Sequence, residues 1–116
     1  MDQLDKYLSH SLAGSSVQQS LLDSLIDWGI AGFFPLISSH DMNTYRSQVK
    51  NIETSLDKMK ALKNVEKCLQ LCRNHKSLER KKVIIENLEE KKKIVFISSL
   101  FYLIEVKTLE QNSHFH

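Results

Sequence analysis

Apolar residues recur every three or four positions along most of this chain, which is the spacing of an amphipathic helix. A first short stretch predicts a helix over residues 2–12, and Gly14 ends it. A longer stretch, which includes Trp28, predicts a second helix over residues 16–30 with a broad apolar face.

Residues 29–40 are apolar but carry two signals that interrupt a helix. Gly29 can adopt the left-handed conformation that often follows a helix, and Pro35 disfavours a helical residue before it. The stretch therefore predicts an irregular apolar elbow.

The second half of the chain predicts two long helices joined by a turn. Over residues 41–73 the apolar spacing alternates between four and three, as in the seam of a coiled coil. Residues 73–77 are polar and predict a hairpin turn, and the helical pattern then continues over residues 77–111, which leaves 112–116 as a tail. One uninterrupted helix over residues 41–110 is the alternative.

The stretch KKKIVFISSLFYLIEVK, residues 91–107, has three possible structures. Its apolar run is shorter than the roughly twenty residues that a membrane-spanning helix needs. A buried strand fits its β-branched residues, but strong helix formers flank the run and no Gly or Pro marks a strand end. We therefore predict a helix that is apolar around most of its circumference.

Helix length leads to a prediction of self-association. Two helices of about 34 residues are each about 50 Å long, whereas a compact domain of this size has a radius of gyration of about 13 Å. Apolar surface should then remain for a second chain, most simply in a homodimer or otherwise on another helical protein. A monomeric bundle of three or four shorter helices is the alternative.

Composition agrees with an all-α fold, because three glycines and one proline in 116 residues are too few for the turns of an all-β protein. The length suits a single domain over residues 1–116. Formal charge is uneven, at −4 over residues 1–44 and +6 over the remainder. The N-terminal residues lack the pattern of a secretory signal, and two cysteines on one predicted helix are a poor disulfide framework, so a cytoplasmic location is expected.

Candidate chemistry is sparse. Cys68, Cys72 and His75 share a helical face, but a fourth zinc ligand is missing nearby and such cysteines are more often buried apolar residues. No phosphate-binding loop, dinucleotide fingerprint or zinc-protease motif occurs. We expect no enzyme activity, cofactor or metal.

We therefore predict a non-catalytic interaction module, namely a small helical adaptor, regulator or secretion-type chaperone that binds a helical partner. The predicted partner-binding residues are apolar positions of the two long helices: Val49, Ile52, Leu56, Met59, Phe96, Leu100, Phe101, Leu103 and Ile104.

A nucleic-acid-binding regulator is the alternative, because residues 73–93 have an excess of basic over acidic side chains. Its predicted contacts are Arg80, Lys81, Lys82, Lys91, Lys92 and Lys93. The same lysines suit an anionic membrane surface less well, because the following apolar run lacks a clean polar face.

Overall fold

The structure, a computed structural model, describes residues 17–45 and 56–113, with side chains over 21–45 and 56–112. It consists of helices in these ranges and has no strand there, which confirms the all-α prediction. The helices are α1 (Val17–Ile30), α2 (residues 39–45), α3 (Lys58–Leu71), α4 (Leu78–Glu86) and α5 (Glu90–Ser113).

Several sequence-based predictions fall outside the described residues. These are the short helix over residues 2–12, the predicted contacts Val49 and Ile52, and the end of the tail, residues 114–116. The first two residues of the predicted tail are instead helical, because α5 extends to Ser113.

The predicted long helix over residues 41–73 is interrupted. Leu56 and Asp57 are not helical, and the Asp57 carboxylate accepts a hydrogen bond of 2.8 Å from the backbone N–H of Lys60. This contact is an N-cap, because an aspartate oxygen satisfies one of the backbone donors that a starting helix leaves free. A new helix therefore begins after Asp57.

The predicted helix over residues 77–111 is also two helices. Asn87 ends α4, and its side-chain amide donates a hydrogen bond of 2.8 Å to the carbonyl oxygen of Val83. After residues 87–89 the chain starts α5. Ser77 caps the start of α4, because its hydroxyl oxygen accepts a hydrogen bond of 3.2 Å from the backbone N–H of Arg80. These breaks exclude one uninterrupted helix over residues 41–110.

Helix α5 is the centre of the fold and packs on both α3 and α1. Phe96, Ile97 and Leu100 of α5 are fully or almost fully buried, with Leu22 of α1 and Val65 of α3 in the same core. The 24 residues of α5 give a length of about 36 Å. The longest dimension of the molecule is 38 Å and its radius of gyration is 14.0 Å.

These dimensions correct the geometric basis of the predicted dimer. The chain does not form two helices of about 50 Å, because caps at Asp57 and Asn87 divide them. Its shorter helices enclose α5 from two sides, as in the alternative of a monomeric bundle. The homodimer itself stays a prediction.

The elbow between α1 and α2 differs in one detail from the sequence-based prediction. Gly29 is helical, and the residue with a positive φ, of 88°, is Gly32. Gly29 has a packing role, since a β-carbon at this position would collide with the side chain of Ile104 on α5. The elbow also buries Leu36 and contributes Phe34, whose ring packs edge-on against Phe101 at 5.3 Å between centroids.

Two ion pairs join the N-terminal part of the chain to α5. Lys107 contacts Asp27 of α1 at the surface, with 2.5 Å between nitrogen and oxygen. Lys93 contacts Asp41 of α2 at 3.2 Å, and both side chains of this pair are mostly buried. The Lys93 ammonium also lies 5.5 Å from the centroid of the Tyr45 ring.

Within the described ranges, no helix combines the length and the hydropathy needed to cross a bilayer.

Candidate functional site

A groove of about 780 Å³ lies between the second half of α3 and the start of α5. Its α3 side continues into the turn that follows this helix, and its α5 side is the first two turns of that helix. The lining residues are Asn64, Lys67, Cys68, Gln70, Leu71, Arg73, Asn74, Lys91, Lys92 and Val95.

The apolar part of the groove is contributed by both helices. Leu71 of α3 is 56% exposed and Val95 of α5 is 37% exposed, although both are large aliphatic side chains. Cys68 lies one turn before Leu71 and is buried. Two exposed aliphatic residues in one concave surface mark this groove as a candidate site for apolar contact.

The polar part of the groove is cationic. Lys67 and Arg73 belong to the α3 side, and Lys91 and Lys92 belong to the α5 side. All four are exposed, and none of them forms an ion pair with another of the residues that the structure describes. Among the residues that the structure describes, no Asp or Glu lines the groove. The surface therefore offers four cations around an aliphatic centre.

Two hydrogen bonds between separate helices fix the shape of the groove. Asn64 of α3 donates from its side-chain amide to the Ser99 hydroxyl of α5 at 3.0 Å. At the other end, the Lys81 ammonium of α4 donates to the carbonyl oxygen of Cys72 at 3.0 Å. Because Cys72 immediately follows α3, this second bond holds the turn that carries Arg73 and Asn74.

The two cysteines are unsuited to nucleophilic chemistry. Burial raises the pKa of the Cys68 thiol to about 11, and the neighbouring Cys72 adds a smaller effect in the same direction. The positive charge of Lys92 opposes this shift. Burial also raises the pKa of Cys72, against the charge of Lys81 and a backbone hydrogen bond. A thiol is nucleophilic as its thiolate, which burial disfavours here. Among the described residues, no three His, Cys, Asp or Glu side chains are grouped to hold a metal ion.

The predicted partner-binding residues are mostly part of the core. Phe96, Leu100 and Leu103 are buried by other residues of the same chain, and Phe101 and Ile104 are partly buried against that core. These five side chains therefore contribute to the protein's own core, and their part in binding a partner stays a prediction.

The two seam residues that the structure describes are not grouped with those five. Leu56 is partly buried in the break before α3, whereas Met59 is 67% exposed on the first turn of α3. Met59 does not continue a buried seam, because a new helix begins after Asp57. The apolar spacing of the sequence before Asp57 therefore does not carry over into α3.

The predicted nucleic-acid contacts are also divided. Lys81 is buried, and Lys93 is mostly buried in its ion pair with Asp41, so neither belongs to an exposed basic surface, while nucleic-acid binding itself stays a prediction. The Lys82 ammonium nitrogen lies 3.9 Å from a carboxylate oxygen of Glu86 on the same helix. Arg80 is exposed on α4.

The remaining two, Lys91 and Lys92, line the groove. They are joined there by Lys67 of α3 and by Arg73 of the following turn, neither of which was among the predicted contacts, although Arg73 belongs to the basic segment 73–93. The exposed residues Leu71 and Val95 were also missed. Both lie inside apolar runs, and the sequence offers no signal that separates them from their buried neighbours.

Comparison with protein-family models, curated proteins and solved structures found no match to this chain.

Proposed function

We propose that the protein is a non-catalytic interaction module that binds a helical segment of a partner protein in the groove between α3 and α5. This role is that of a small adaptor, regulator or chaperone. The supporting observation is that Leu71 and Val95, from different helices, are both exposed in one groove. Burying exposed apolar side chains is the main favourable contribution to protein association.

A protein segment suits this groove better than nucleic acid does. Proteins that bind single strands stack bases on aromatic side chains, and none of the described residues that line the groove is aromatic. Its floor is aliphatic, which complements aliphatic side chains. A small molecule fits less well, because such sites enclose most of the ligand surface and this groove lies open along one side.

A second copy of the chain is a poor occupant of the groove. In a two-fold symmetric dimer the same surfaces face each other, so the four groove cations, which form no ion pair with a described residue, would meet four more. Like charges placed opposite one another disfavour association. The proposed partner is therefore a different chain, and self-association through another surface is tested by sedimentation velocity.

The test uses synthetic helical peptides with a leucine stripe, each of about 16 residues so that a helix can form. Fluorescence anisotropy measures their binding to the wild-type protein and to Leu71→Asp and Val95→Asp variants. We expect each substitution to weaken binding at least about tenfold, because it places a charge at the centre of an apolar contact.

Val83→Asp is the matched control, because Val83 is 54% exposed on α4 and does not line the groove. Binding to this variant should equal that of the wild type. The proposal fails if none of the peptides binds, or if Val83→Asp weakens binding as much as Leu71→Asp does.

Nucleic acid is tested in the same assay with a labelled single strand of about 20 nucleotides. If the strand binds more tightly than every peptide and its affinity falls steeply with salt, the cations serve phosphate binding and the proposed function is wrong.

A further inference from the structure

We infer that the partner segment is an acidic amphipathic helix, with carboxylates on both sides of an aliphatic stripe. This inference rests on the proposed function and adds the chemical class of the partner. The inference is drawn from the positive charges that line the groove. An apolar contact alone would not need these charges.

Both walls of the groove contribute cations as well as an exposed aliphatic residue. Lys67 and Arg73 come from α3 and its following turn, whereas Lys91 and Lys92 come from α5. A helix that places its apolar stripe on Leu71 and Val95 therefore has cations along both flanks. Glutamate or aspartate on each flank would pair with them, and the Arg73 guanidinium can hold a carboxylate through two hydrogen bonds.

The cations of the groove are available to a partner. Other lysines near α5 are already neutralised, since Lys93 pairs with Asp41 and Lys107 with Asp27. The four groove cations have no such pairs with described residues. A partner with basic flanks would leave eight like charges close together, and one with neutral flanks would forgo the attraction.

The dimensions of the groove set the length of the contact. The lining residues on α3 itself extend from Asn64 to Leu71, which corresponds to about 10 Å along the helix axis, and the groove continues into the following turn as far as Asn74. The α5 side, Lys91 to Val95, covers little more than one turn. The contact therefore accommodates about two turns of a partner helix, with about two aliphatic residues in its stripe.

The test compares three peptides that share one leucine stripe and differ only in their flanking residues, which are Glu, Gln or Lys. Glu, Gln and Lys have similar helix propensities, so the comparison isolates charge. We expect the Glu peptide to bind about tenfold more tightly than the Gln peptide at low salt, with the Lys peptide weakest, as several exposed ion pairs together allow. The Glu advantage should shrink as salt is added.

Charge reversal provides the second arm. In a Lys91→Glu and Lys92→Glu double variant, the preference should shift from the Glu peptide towards the Lys peptide. The control double variant, Lys60→Glu with Lys63→Glu, has the same net charge and alters exposed α3 residues that do not line the groove. Its peptide ranking should match that of the wild type.

Circular dichroism establishes that each variant is folded. If the groove variant is unfolded, the wild-type ranking of the three peptides and its salt dependence still decide the question. Equal affinities for the Glu and Gln peptides, or an unchanged ranking in a folded groove variant, would overturn the inference. Either result leaves the proposed function intact as long as binding depends on Leu71 and Val95, whereas no binding by any peptide removes both.

Discussion

The ammonium of Lys81 on α4 donates a hydrogen bond to the carbonyl oxygen of Cys72, 3.0 Å away at the end of α3. Burial lowers the pKa of Lys81, against the opposing effect of Cys72. The cation lies at the C-terminal end of α3, where the helix dipole favours positive charge. Lys81 is thus a structural lysine that fixes the turn at one end of the groove.

Replacing this lysine should destabilise the fold. We expect Lys81→Ala to lower the free energy of unfolding by about 1 to 3 kcal/mol, because it removes buried methylene groups and one of the two donors to the Cys72 carbonyl oxygen, the other being the backbone N–H of His75. Urea denaturation measures the change. Arg80→Ala, at the exposed neighbouring position, should change stability by less than about 0.5 kcal/mol. Equal effects of the two substitutions would contradict the structural role of Lys81.

Gly29→Ala should be destabilising, although alanine is normally the better helix residue by about 1 kcal/mol. The reason is the close approach of α1 and α5, where a β-carbon would overlap Ile104. Overpacking of this kind costs about 1 to 3 kcal/mol. Thermal unfolding of the variant gives the sign of the change.

A double-variant cycle separates packing from helix propensity at this position. In an Ile104→Ala background the obstruction is absent, so Gly29→Ala should become neutral or stabilising. If Gly29→Ala stabilises the wild-type chain as well, the two helices are not in the contact described above.

The Asp41–Lys93 pair should contribute measurably to stability, because both side chains are mostly buried. Asp41→Asn should cost about 1 to 3 kcal/mol, since it leaves a largely buried ammonium without its counter-charge. The exposed pair of Lys107 and Asp27 provides the comparison, and Asp27→Asn should cost less than about 1 kcal/mol.

Lys93 also makes this contribution dependent on pH. Burial lowers its pKa, but the hydrogen bond and charge of Asp41, together with Tyr45, outweigh burial, so that the pKa is raised. A lysine whose pKa is higher in the folded than in the unfolded state stabilises the fold fully at pH values below the unfolded pKa, near 10.4. This stabilisation is lost as the pH rises through the pKa of the folded state. The difference in stability between wild type and Asp41→Asn should therefore diminish at strongly alkaline pH.

Cys68 should react slowly in the folded protein. With a pKa of about 11, its thiolate fraction at pH 8 is about a hundredfold or more below that of an unfolded thiol. A disulfide reagent such as 5,5′-dithiobis(2-nitrobenzoate) should therefore modify the native chain far more slowly than the chain in urea. Rapid modification under native conditions would show that Cys68 is not buried.

The same thiol should make the protein less stable in alkali. The folded state keeps the Cys68 proton between about pH 9 and about 11, whereas the unfolded state releases it, so stability falls as pH rises through this interval. The loss attributable to Cys68 is of the order of 2 kcal/mol. Lys81, whose pKa is lowered, acts in the opposite direction. A Cys68→Ala variant isolates the thiol, and its stability should decline less steeply over this interval.

The helical nature of the fold could be predicted because it depends on local information. Apolar spacing and the shortage of Gly and Pro indicate helices wherever the structure describes them. The helical state of α5 was predictable because its flanking residues favour helix and no turn residues bound it.

Helix ends were harder to predict, because single polar side chains decide them. Asp57 and Asn87 are each surrounded by good helix formers, so that the periodic pattern continues past them. Each becomes a cap through one side-chain hydrogen bond to the backbone, which is worth only about 1 kcal/mol. Missing these two caps produced the two long helices and, with them, the argument for a dimer.

The candidate groove could not be predicted because exposure is a tertiary property. Leu71 and Leu69 are both leucines on α3, yet Leu69 is buried and Leu71 is not. Which of them meets α5 depends on the rotation of one helix against the other, and periodicity restricts that rotation only roughly. The sequence shows the excess of positive charge in this part of the chain. It does not show which lysines are buried, which form ion pairs and which line the groove.

The central position of α5 has a consequence for biosynthesis. The apolar faces of α1 and α3 are buried largely on this helix, and the Asp27–Lys107 contact spans 80 positions of the chain. A ribosome delivers α1, α3 and α4 before residues 90–113 emerge, at about 5 to 20 residues per second. For those seconds α1 and α3 can pack only on each other, and most of the core closes after α5 has emerged.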